Sequence, residues 1–263
     1  MKLNTLTFYI SIALTTHISF ATQTLPSSIP AKANEINQLI NNRFEGAAYD
    51  ETISLSSSQT SPLTPTTDKT KVTIDGATAM RIMGNNKPTL VVENNTEFNF
   101  TGEDFIKGEN KHLYFHNQNN LTATLQGKSP FIHLSHVDAF VLKNEAEKKI
   151  EFTGRFIQAH QHPLQAYILN EGQIIGNVPK GDIHSRLFHT DKKSYGNNNM
   201  DEPIKDITLV NTGSITMDQE VITAIVTDNF HVENTGDITN KGHHTDTSNG
   251  GDIFRIQKTG TGG

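Results

Sequence analysis

Two stretches of this chain are near-copies of one short phrase, and they constrain the fold more than any other feature. Residues 207–216 (ITLVNTGSIT) and 230–239 (FHVENTGDIT) lie 23 positions apart, the difference between 234 and 211 for their asparagines. Each copy alternates apolar and polar residues, passes through Asn-Thr-Gly and resumes with an isoleucine. Alternation with a period of two is typical of a β-strand, and Asn-Thr-Gly is typical of a turn. Each copy therefore predicts a strand, a corner and the start of a second strand.

The same corner recurs along much of the chain, with an asparagine placed shortly before an apolar residue. The corner asparagines are Asn94, Asn117, Asn144, Asn170, Asn211 and Asn234. Their spacings are 23, 27, 26, 41 and 23 residues, and at Asn144 the polar Lys148 takes the apolar position so that Ile150 follows two residues late. A repeat of this length, with short strands and no helical pattern between them, is typical of a solenoid. The predicted fold class is all-β, a single-stranded right-handed parallel β-helix of about seven coils with a short N-terminal helix.

Stacking explains why such short strands are stable together. A strand of four or five residues cannot bury its apolar side chains alone, but strands stacked about 4.8 Å apart line a continuous core and pair their backbone groups. An asparagine at each corner tolerates left-handed backbone angles, and its amide can bond to the equivalent amide in the coils above and below. We therefore predict that the six asparagines form a structural ladder.

Composition fits a thin, elongated core. Only 34% of the residues are hydrophobic, which is enough for a core one coil wide. The chain has no cysteine, so stacking and not disulfide bonds must stabilise it. The formal net charge of −6 argues against a nucleic-acid partner, because phosphate binding requires a basic surface.

The N-terminal part is predicted to contain three segments. Residues 1–21 have a positive Lys2, an apolar stretch and a small-x-small site at Ser19-Phe20-Ala21, a pattern typical of a secretory signal peptide. Residues 22–70 are predicted to hold a short amphipathic helix, with apolar residues at helical spacing in 31–44, followed by a Ser/Thr/Pro linker. The helix is a candidate cap for the open end of the solenoid. The β-helix itself is predicted for residues 71–263.

The longest interval, from Asn170 to Asn211, predicts an insertion at residues 176–205. Insertions in solenoids are expelled as loops on one face, and such loops often carry binding. The candidate binding residues in this loop are Asp182, His184, Arg186, His189 and Tyr195. The alternative is a tolerated loop with no role.

The phrases VNTGSI at 210–215 and ENTGDI at 233–238, together with the signal peptide, resemble the passenger domains of bacterial autotransporters. The final KTGTGG at 258–263 resembles the opening of the autotransporter-associated β-strand repeat. The sequence departs from that family in lacking the alternating strands that close on a terminal aromatic residue, so we expect a passenger truncated before its translocator barrel: a fragment, a truncated gene product or a passenger whose translocator is encoded separately. The resemblance implies secretion or display on the cell surface of a Gram-negative bacterium, or a periplasmic location if no translocator is supplied.

Catalytic and metal-binding patterns are weak. Carboxylates do not recur at one coil position, since the residues before the corner asparagines are Glu93, His116, Lys143, Leu169, Val210 and Glu233. A polysaccharide lyase or hydrolase needs clustered or paired carboxylates, and this pattern does not supply them. A carbohydrate-active β-helix enzyme is therefore kept as the alternative function and not as the first. His160 and His162 could share a metal, but a tight zinc site needs three or four ligands. We predict no catalytic residue, no metal and no cofactor.

The predicted function is non-catalytic. A stiff rod of stacked strands is suited to presenting loops to a protein or glycan on a host or neighbouring-cell surface, as an adhesin of the passenger type or a remnant of one. Affinity would come from many weak contacts along one face. The mature chain is predicted to have no transmembrane segment and no nucleic-acid partner. A third possibility, a secreted metal-binding protein, predicts zinc uptake that is lost on changing His160 and His162.

Overall fold

The chain winds as a parallel β-solenoid, which confirms the predicted fold class. The computed structural model describes residues 31–56, 61–76, 81–84, 86–126, 129–160, 164–178, 185–190, 192–195, 198–201, 203–242 and 252–258. The predicted signal peptide, residues 1–21, lies outside these ranges. The N-terminal part consists of a helix, α1 (Ala31–Ile40), which continues into a π-helical turn (Asn41–Glu45). No described helix has the length and apolarity that crossing a membrane as a helix requires.

The strands form three faces that recur in each coil. The first face contains β1 (Glu51–Ser56), β2 (Lys69–Asp75), β4 (Thr89–Asn94), β7 (His112–Asn117), β10 (Ala139–Asn144), β13 (Gln165–Asn170), β18 (Ile204–Asn211) and the second half of β20 (Ile222–Asn234). The second face contains β5 (Phe98–Gly102), β8 (Leu121–Leu125), β11 (Lys149–Thr153), β14 (Gln173–Asn177), β19 (Ser214–Met217) and β21 (Asp237–Asn240). The third face contains β3 (Ile82–Met83), β6 (Ile106–Gly108), β9 (Ile132–Ser135), β12 (Arg155–His160), β15 (Arg186–Thr190), the first half of β20 and β22 (Phe254–Lys258). Strand β20 turns the corner between faces without a break, so it pairs with β15 and β22 at one end and with β18 at the other.

The core follows from the parallel register. Equivalent apolar residues stack in files, and one file on the first face contains Val72, Val92, Phe115, Leu142, Ile168 and Leu209. All six are buried in a single apolar cluster that runs along the solenoid. A second file, of phenylalanines, stacks face to face, with ring centroids 4.9 Å apart from Phe105 to Phe131 and again from Phe131 to Phe156. Burial of these files is the main driving force for the fold.

The six corner asparagines lie in register in one column, as their spacing predicts. Each amide nitrogen donates to the carbonyl oxygen of the next asparagine over 2.6–2.8 Å, from Asn94 through to Asn234. The column is buried from Asn94 to Asn211, where water cannot replace these bonds. The long interval from Asn170 to Asn211 does not interrupt it.

The predicted reason for asparagine at these corners is only half right. Among the described residues, the non-glycine residues with positive φ are Asn86, Asp104, His136 and Glu147, so no corner asparagine is left-handed. The corner asparagines end extended strands, and their side-chain amides are what the corners require. Asn170, Asn211 and Asn234 are each followed two residues later by a glycine, and close approach requires it: a Cβ on Gly213 would lie 1.9 Å from the carbonyl oxygen of Gly172.

Helix α1 lies along the outside of the first face, whereas the sequence suggests it as a cap for the solenoid's end. Its apolar stripe of Ala33, Ile36 and Ile40, continued by Phe44, packs on a cluster of outward-facing apolar residues. That cluster takes Val91, Tyr114 and Val141 from one file and Leu169 and Val210 from the next. The strands of this face are therefore buried on both sides, and a helix covers what would otherwise be an exposed apolar patch.

The solenoid begins earlier than residue 71, the boundary predicted from composition. Strand β1 pairs in parallel with β2 from Glu51 to Ser56, inside the segment predicted as helix and linker. Leu63 forms a parallel bridge to Ile82, so part of the Ser/Thr/Pro stretch is also in the first coil. Leu55 is buried in the core, and this burial outweighs the loop-like composition around it.

We predict that Ile36→Ala releases α1 from the solenoid without unfolding the coils. Truncating a buried isoleucine costs about 2–4 kcal/mol, and here the loss falls on the contact between helix and sheet. Hydrogen exchange of amides in residues 31–45 should therefore accelerate roughly 30-fold or more, while amides of β10 and β13 keep their protection. Gln38→Ala, on the exposed side of the same helix, is the control and should change neither set. Equal acceleration in the helix and in the coils would contradict a separately docked helix.

Candidate functional site

The outer surface of the third face contains two members of the predicted binding set, Arg186 and His189. Arg186 and His189 lie in β15, a regular strand paired with β12 and β20. The prediction that residues 176–205 are one inserted loop is therefore wrong for this segment, because Leu187 and Phe188 are buried in the core. Strand β14 also extends into the predicted loop, as far as Asn177.

The other three candidates are Asp182, His184 and Tyr195. Asp182 and His184 lie outside the described residues. Tyr195 ends β16 (Lys192–Tyr195), which pairs antiparallel with β17 (Asn198–Asp201) in a hairpin. Along the chain, this hairpin follows β15 of the third face and precedes β18 of the first face. This hairpin is the described part of the insertion, and it starts two residues after β15 ends.

A file of polar side chains runs along the outside of the third face. Register pairs place its members on successive strands, in the order Lys107, His133, Gln158, His189, Thr223 and Arg255. The adjoining inward file is apolar, from Ile106 and Ile132 to Phe188 and Ile222. Alternation across a strand thus produces a core on one side and a continuous polar surface on the other.

An arginine pair sharing one carboxylate lies at the C-terminal end of this file. Arg186 Nε is 3.5 Å from Glu220 Oε2, and Arg255 Nη2 is 3.0 Å from Glu220 Oε1. Arg186 and Glu220 are both buried, and burial lowers the pKa of Arg186 although Glu220 acts against this. Arg155, which is paired in register with Arg186, adds further positive charge. Arg186 still carries its full charge at neutral pH, because a guanidinium is not deprotonated in proteins.

These residues surround a pocket of about 310 Å³ on the outer surface. Its lining consists of Arg186, His189, Thr190, Thr223, Ala224, Ile225, Arg255, Ile256 and Gln257. The hydroxyl oxygen of Thr223 is buried and has no hydrogen-bond partner among the described residues. Cationic groups, two isoleucines and two threonines in one pocket are suited to holding a small anionic ligand with an apolar face.

Two histidines of the same face contact each other further along the solenoid. The ring centroids of His133 and His160 are 4.7 Å apart, and His133 Nδ1 is 4.0 Å from Asp104 Oδ1. Within the described ranges no three His, Cys, Asp or Glu residues converge as metal ligands. His162, the predicted partner of His160 in a shared metal site, lies outside those ranges.

A second polar cluster lies on the first face, beside the apolar cluster on which α1 and the π-helical turn pack. His116 Nε2 lies 2.6 Å from Glu145 Oε1, and Lys143 Nζ lies 2.8 Å from the same oxygen. Tyr114 stacks on His116 with ring centroids 5.2 Å apart, and its buried hydroxyl has no hydrogen-bond partner among the described residues. Burial lowers the pKa of His116, and this outweighs the opposing contribution of Glu145.

We predict that the protein loses stability as the pH falls below 6.5. A histidine whose pKa is lower in the folded state than its ordinary 6.5 binds protons more readily when unfolded, so acid favours unfolding. Burial lowers the pKa of His112 in the same direction. Urea unfolding between pH 7.5 and 5 should show this loss, and His116→Gln should reduce it. His231→Gln, at an exposed position, is the control, and a wild-type stability that rises toward pH 5 would contradict the prediction.

Sequence reasoning missed Glu220, Thr223 and Arg255. The sequence does contain a pattern that predicts part of this site. In five coils, a charged residue followed by two apolar residues lies at or just before the start of the third-face strand. These phrases are Asp104-Phe105-Ile106, Arg155-Phe156-Ile157, Arg186-Leu187-Phe188, Glu220-Val221-Ile222 and Asp252-Ile253-Phe254. Aligning them would have placed Arg155, Arg186 and Glu220 in one file.

Comparison of this chain with protein-family models, with curated proteins and with solved structures returns no match. The assignment of a function therefore depends on the geometry of the chain itself.

Proposed function

We propose that this chain is an exported, non-catalytic β-solenoid of the passenger type, which contacts a glycan or protein on a host or neighbouring-cell surface. The observation that carries the proposal is the polar file on the third face, which presents side chains from successive coils on one side of a stiff rod. The contact surface is the outer side of the third face, and the hairpin β16–β17 is adjacent to it along the chain.

The architecture supports repeated contacts. Parallel pairing holds the members of the file one strand spacing apart, about 4.8 Å, over a surface that does not need to fold on binding. The asparagine column and the stacked phenylalanines make this surface rigid. Each contact can then be weak, since several made together give a much higher apparent affinity.

The ion pairs support binding over catalysis. Glycoside hydrolysis uses two carboxyl groups, one of which must act as an acid. On the third face, Glu220 lies between two arginines, Asp252 pairs with Arg255 at 3.6 Å, and Asp104 lies near His133. Glu220 and Asp252 neutralise the arginines beside them and so serve to position them.

Binding to cells and glycans tests the proposal directly. The chain lacking residues 1–21 should bind intact cells, or a panel of immobilised glycans, and should release no reducing or unsaturated sugar from soluble polysaccharides. Absence of binding at micromolar concentration to every cell and glycan tested would overturn the proposal. Release of sugar would favour the carbohydrate-active enzyme instead.

Export is tested separately. Expressed with residues 1–21 in a Gram-negative bacterium, the chain should leave the cytoplasm, and N-terminal sequencing of the product should begin at Thr22. Retention of the full-length chain in the cytoplasm would contradict export.

A further inference from the structure

We infer that the pocket between β15, β20 and β22 binds the carboxylate or sulfate group of an acidic sugar residue. The inference rests on the proposed function, since it names the class of ligand that the third face recognises. Three features of the pocket support it: the charge of its arginines, the unused hydrogen-bonding capacity of Arg186 and Thr223, and the shape of the pocket.

Among the described residues, cations exceed carboxylates around the pocket. Arg186 and Arg255 share Glu220, Asp252 at the rim contacts Arg255, and Arg155 lies close enough to Arg186 to act on its pKa. Three guanidiniums and two carboxylates among the described residues give a net charge of +1. Arg186 is buried, where the effective dielectric is lower than in water, so an anion brought to it interacts more strongly than at the surface.

The geometry of Arg186 leaves room for a better partner. Its contacts to Glu220 and to His189 Nδ1 are 3.5 and 3.4 Å long, whereas strong guanidinium–oxyanion bonds are about 2.7–2.9 Å. A guanidinium offers five N–H donors in a planar fork that matches a carboxylate or sulfate. An oxyanion between Arg186 and Arg255 would therefore receive donors from both.

Thr223 provides a second and independent indication. Its hydroxyl oxygen is buried in the pocket lining without a hydrogen-bond partner among the described residues, which is costly for the free protein. A hydroxyl can donate to an anionic oxygen, and it lies in register between His189 and Arg255. A bound oxyanion would satisfy this group.

The shape favours a single sugar residue. The volume of about 310 Å³ is at the small end of ligand pockets, and Ile225 supplies apolar surface beside the cations. A sugar ring has an apolar face that can pack on such a side chain while its charged substituent faces the arginines. The neighbouring file toward His133 then offers contacts for adjoining sugar residues.

Titration with small sugars tests the inference on the folded chain. Glucuronic acid and glucose 6-sulfate should bind, glucose should bind at least 10-fold more weakly, and added salt should weaken only the acidic ligands. The two acidic ligands distinguish a carboxylate from a sulfate as the preferred group. Equal binding of glucose and both acidic sugars, or no binding of either acidic sugar, would overturn the inference.

Two variants and one control locate the site. Arg255→Gln should weaken acidic-sugar binding about 10- to 100-fold, the usual effect of losing a hydrogen bond to a charged group. Thr223→Val should weaken it several-fold while leaving the melting temperature unchanged or higher, because it removes a buried hydroxyl that has no partner in the free protein. Arg81→Gln removes an exposed arginine at the opposite end of the same face and should have no effect. Unchanged binding in both Arg255→Gln and Thr223→Val would place the ligand elsewhere.

The outcomes separate this inference from the proposed function. If the chain binds cells through neutral glycans or protein receptors but binds neither acidic sugar, the adhesive function stands and the inference about the pocket is wrong. If the chain binds acidic sugars, and both variants weaken this binding as expected, but it binds no cell or immobilised glycan, the inference about the pocket stands and the proposed adhesive function is wrong.

Discussion

Asn170→Ala is expected to lower the free energy of unfolding by roughly 3–4 kcal/mol, because it removes the centre of a buried hydrogen-bonded column. The Asn170 amide donates to Asn211 Oδ1 at 2.6 Å and to the backbone carbonyl of Ser214 at 3.1 Å, and it accepts from Asn144 Nδ2 at 2.8 Å. Alanine leaves Asn211 Oδ1 without this donor in a region closed to water. Each buried polar group left without a partner costs about 1–3 kcal/mol.

Two further variants identify the cause of this loss. Asn234→Ala truncates the exposed end of the same column and should cost less than about 1 kcal/mol. Asn170→Asp keeps the shape of the side chain but removes its donated bonds and buries a charge, so at neutral pH it should destabilise at least as much as alanine. Urea unfolding followed by circular dichroism measures all three. If Asn170→Ala and Asn234→Ala shifted the midpoint equally, the column would not contribute as a buried network.

Phe131→Ala is expected to cost about 3–5 kcal/mol, the largest single loss we predict from the core. Phe131 is fully buried and stacks between Phe105 and Phe156, with nearly parallel rings at 15° and 12°. Its ring also meets Phe100 and Phe115 edge-on at 5.5 and 5.8 Å. Truncation removes contacts to the coils on both sides and leaves a cavity that rigid neighbouring coils cannot close.

Position along the solenoid decides how much an aromatic residue contributes. Phe230 lies in the last described strand of the first face, is only partly buried and pairs with Phe254 at 5.5 Å. Phe230→Ala should therefore cost about 1–2 kcal/mol, well below Phe131→Ala. Phe131→Leu should fall between the two because it refills most of the cavity. A loss for Phe230→Ala as large as that for Phe131→Ala would contradict a core whose stability depends on neighbours on both sides.

The repeat could be predicted because its requirement is local and periodic. Asn117 and Asn144 must occupy equivalent positions for their amides to bond, so the spacing of asparagines in the chain follows the length of each coil. At Asn144 the spacing to the next strand is longer, and the structure accommodates the additional residues in a turn in which Glu147 has a positive φ of 63°. The asparagine column therefore continues through an irregular corner.

The covering helix could not be placed from its own sequence. The apolar stripe of α1 predicts that one side is buried, but an end of the solenoid and a side of it offer similar apolar surfaces. The outward-facing apolar cluster on the first face decides between them, because residues such as Val91, Val141 and Val210 face outward and need cover. Runs of consecutive apolar residues in these strands, such as Leu90-Val91-Val92, are the sequence sign of burial on both faces.

The candidate pocket shows a similar limit. Arg186 and His189 were predicted as binding residues in a loop, and they lie instead on a strand whose other face is in the core. Glu220 and Arg255 come from two later segments of the chain, and only the register of β15, β20 and β22 brings them to Arg186.

By itself, the sequence determined the solenoid, its period and its asparagine column, because these depend on interactions between equivalent residues of adjacent coils and so recur at regular intervals. The tertiary structure alone decided which face the helix covers, where the first coil begins and which charged residues meet in the pocket. Those arrangements depend on contacts between residues far apart in the chain, and a local sequence pattern does not show which distant residues come into contact.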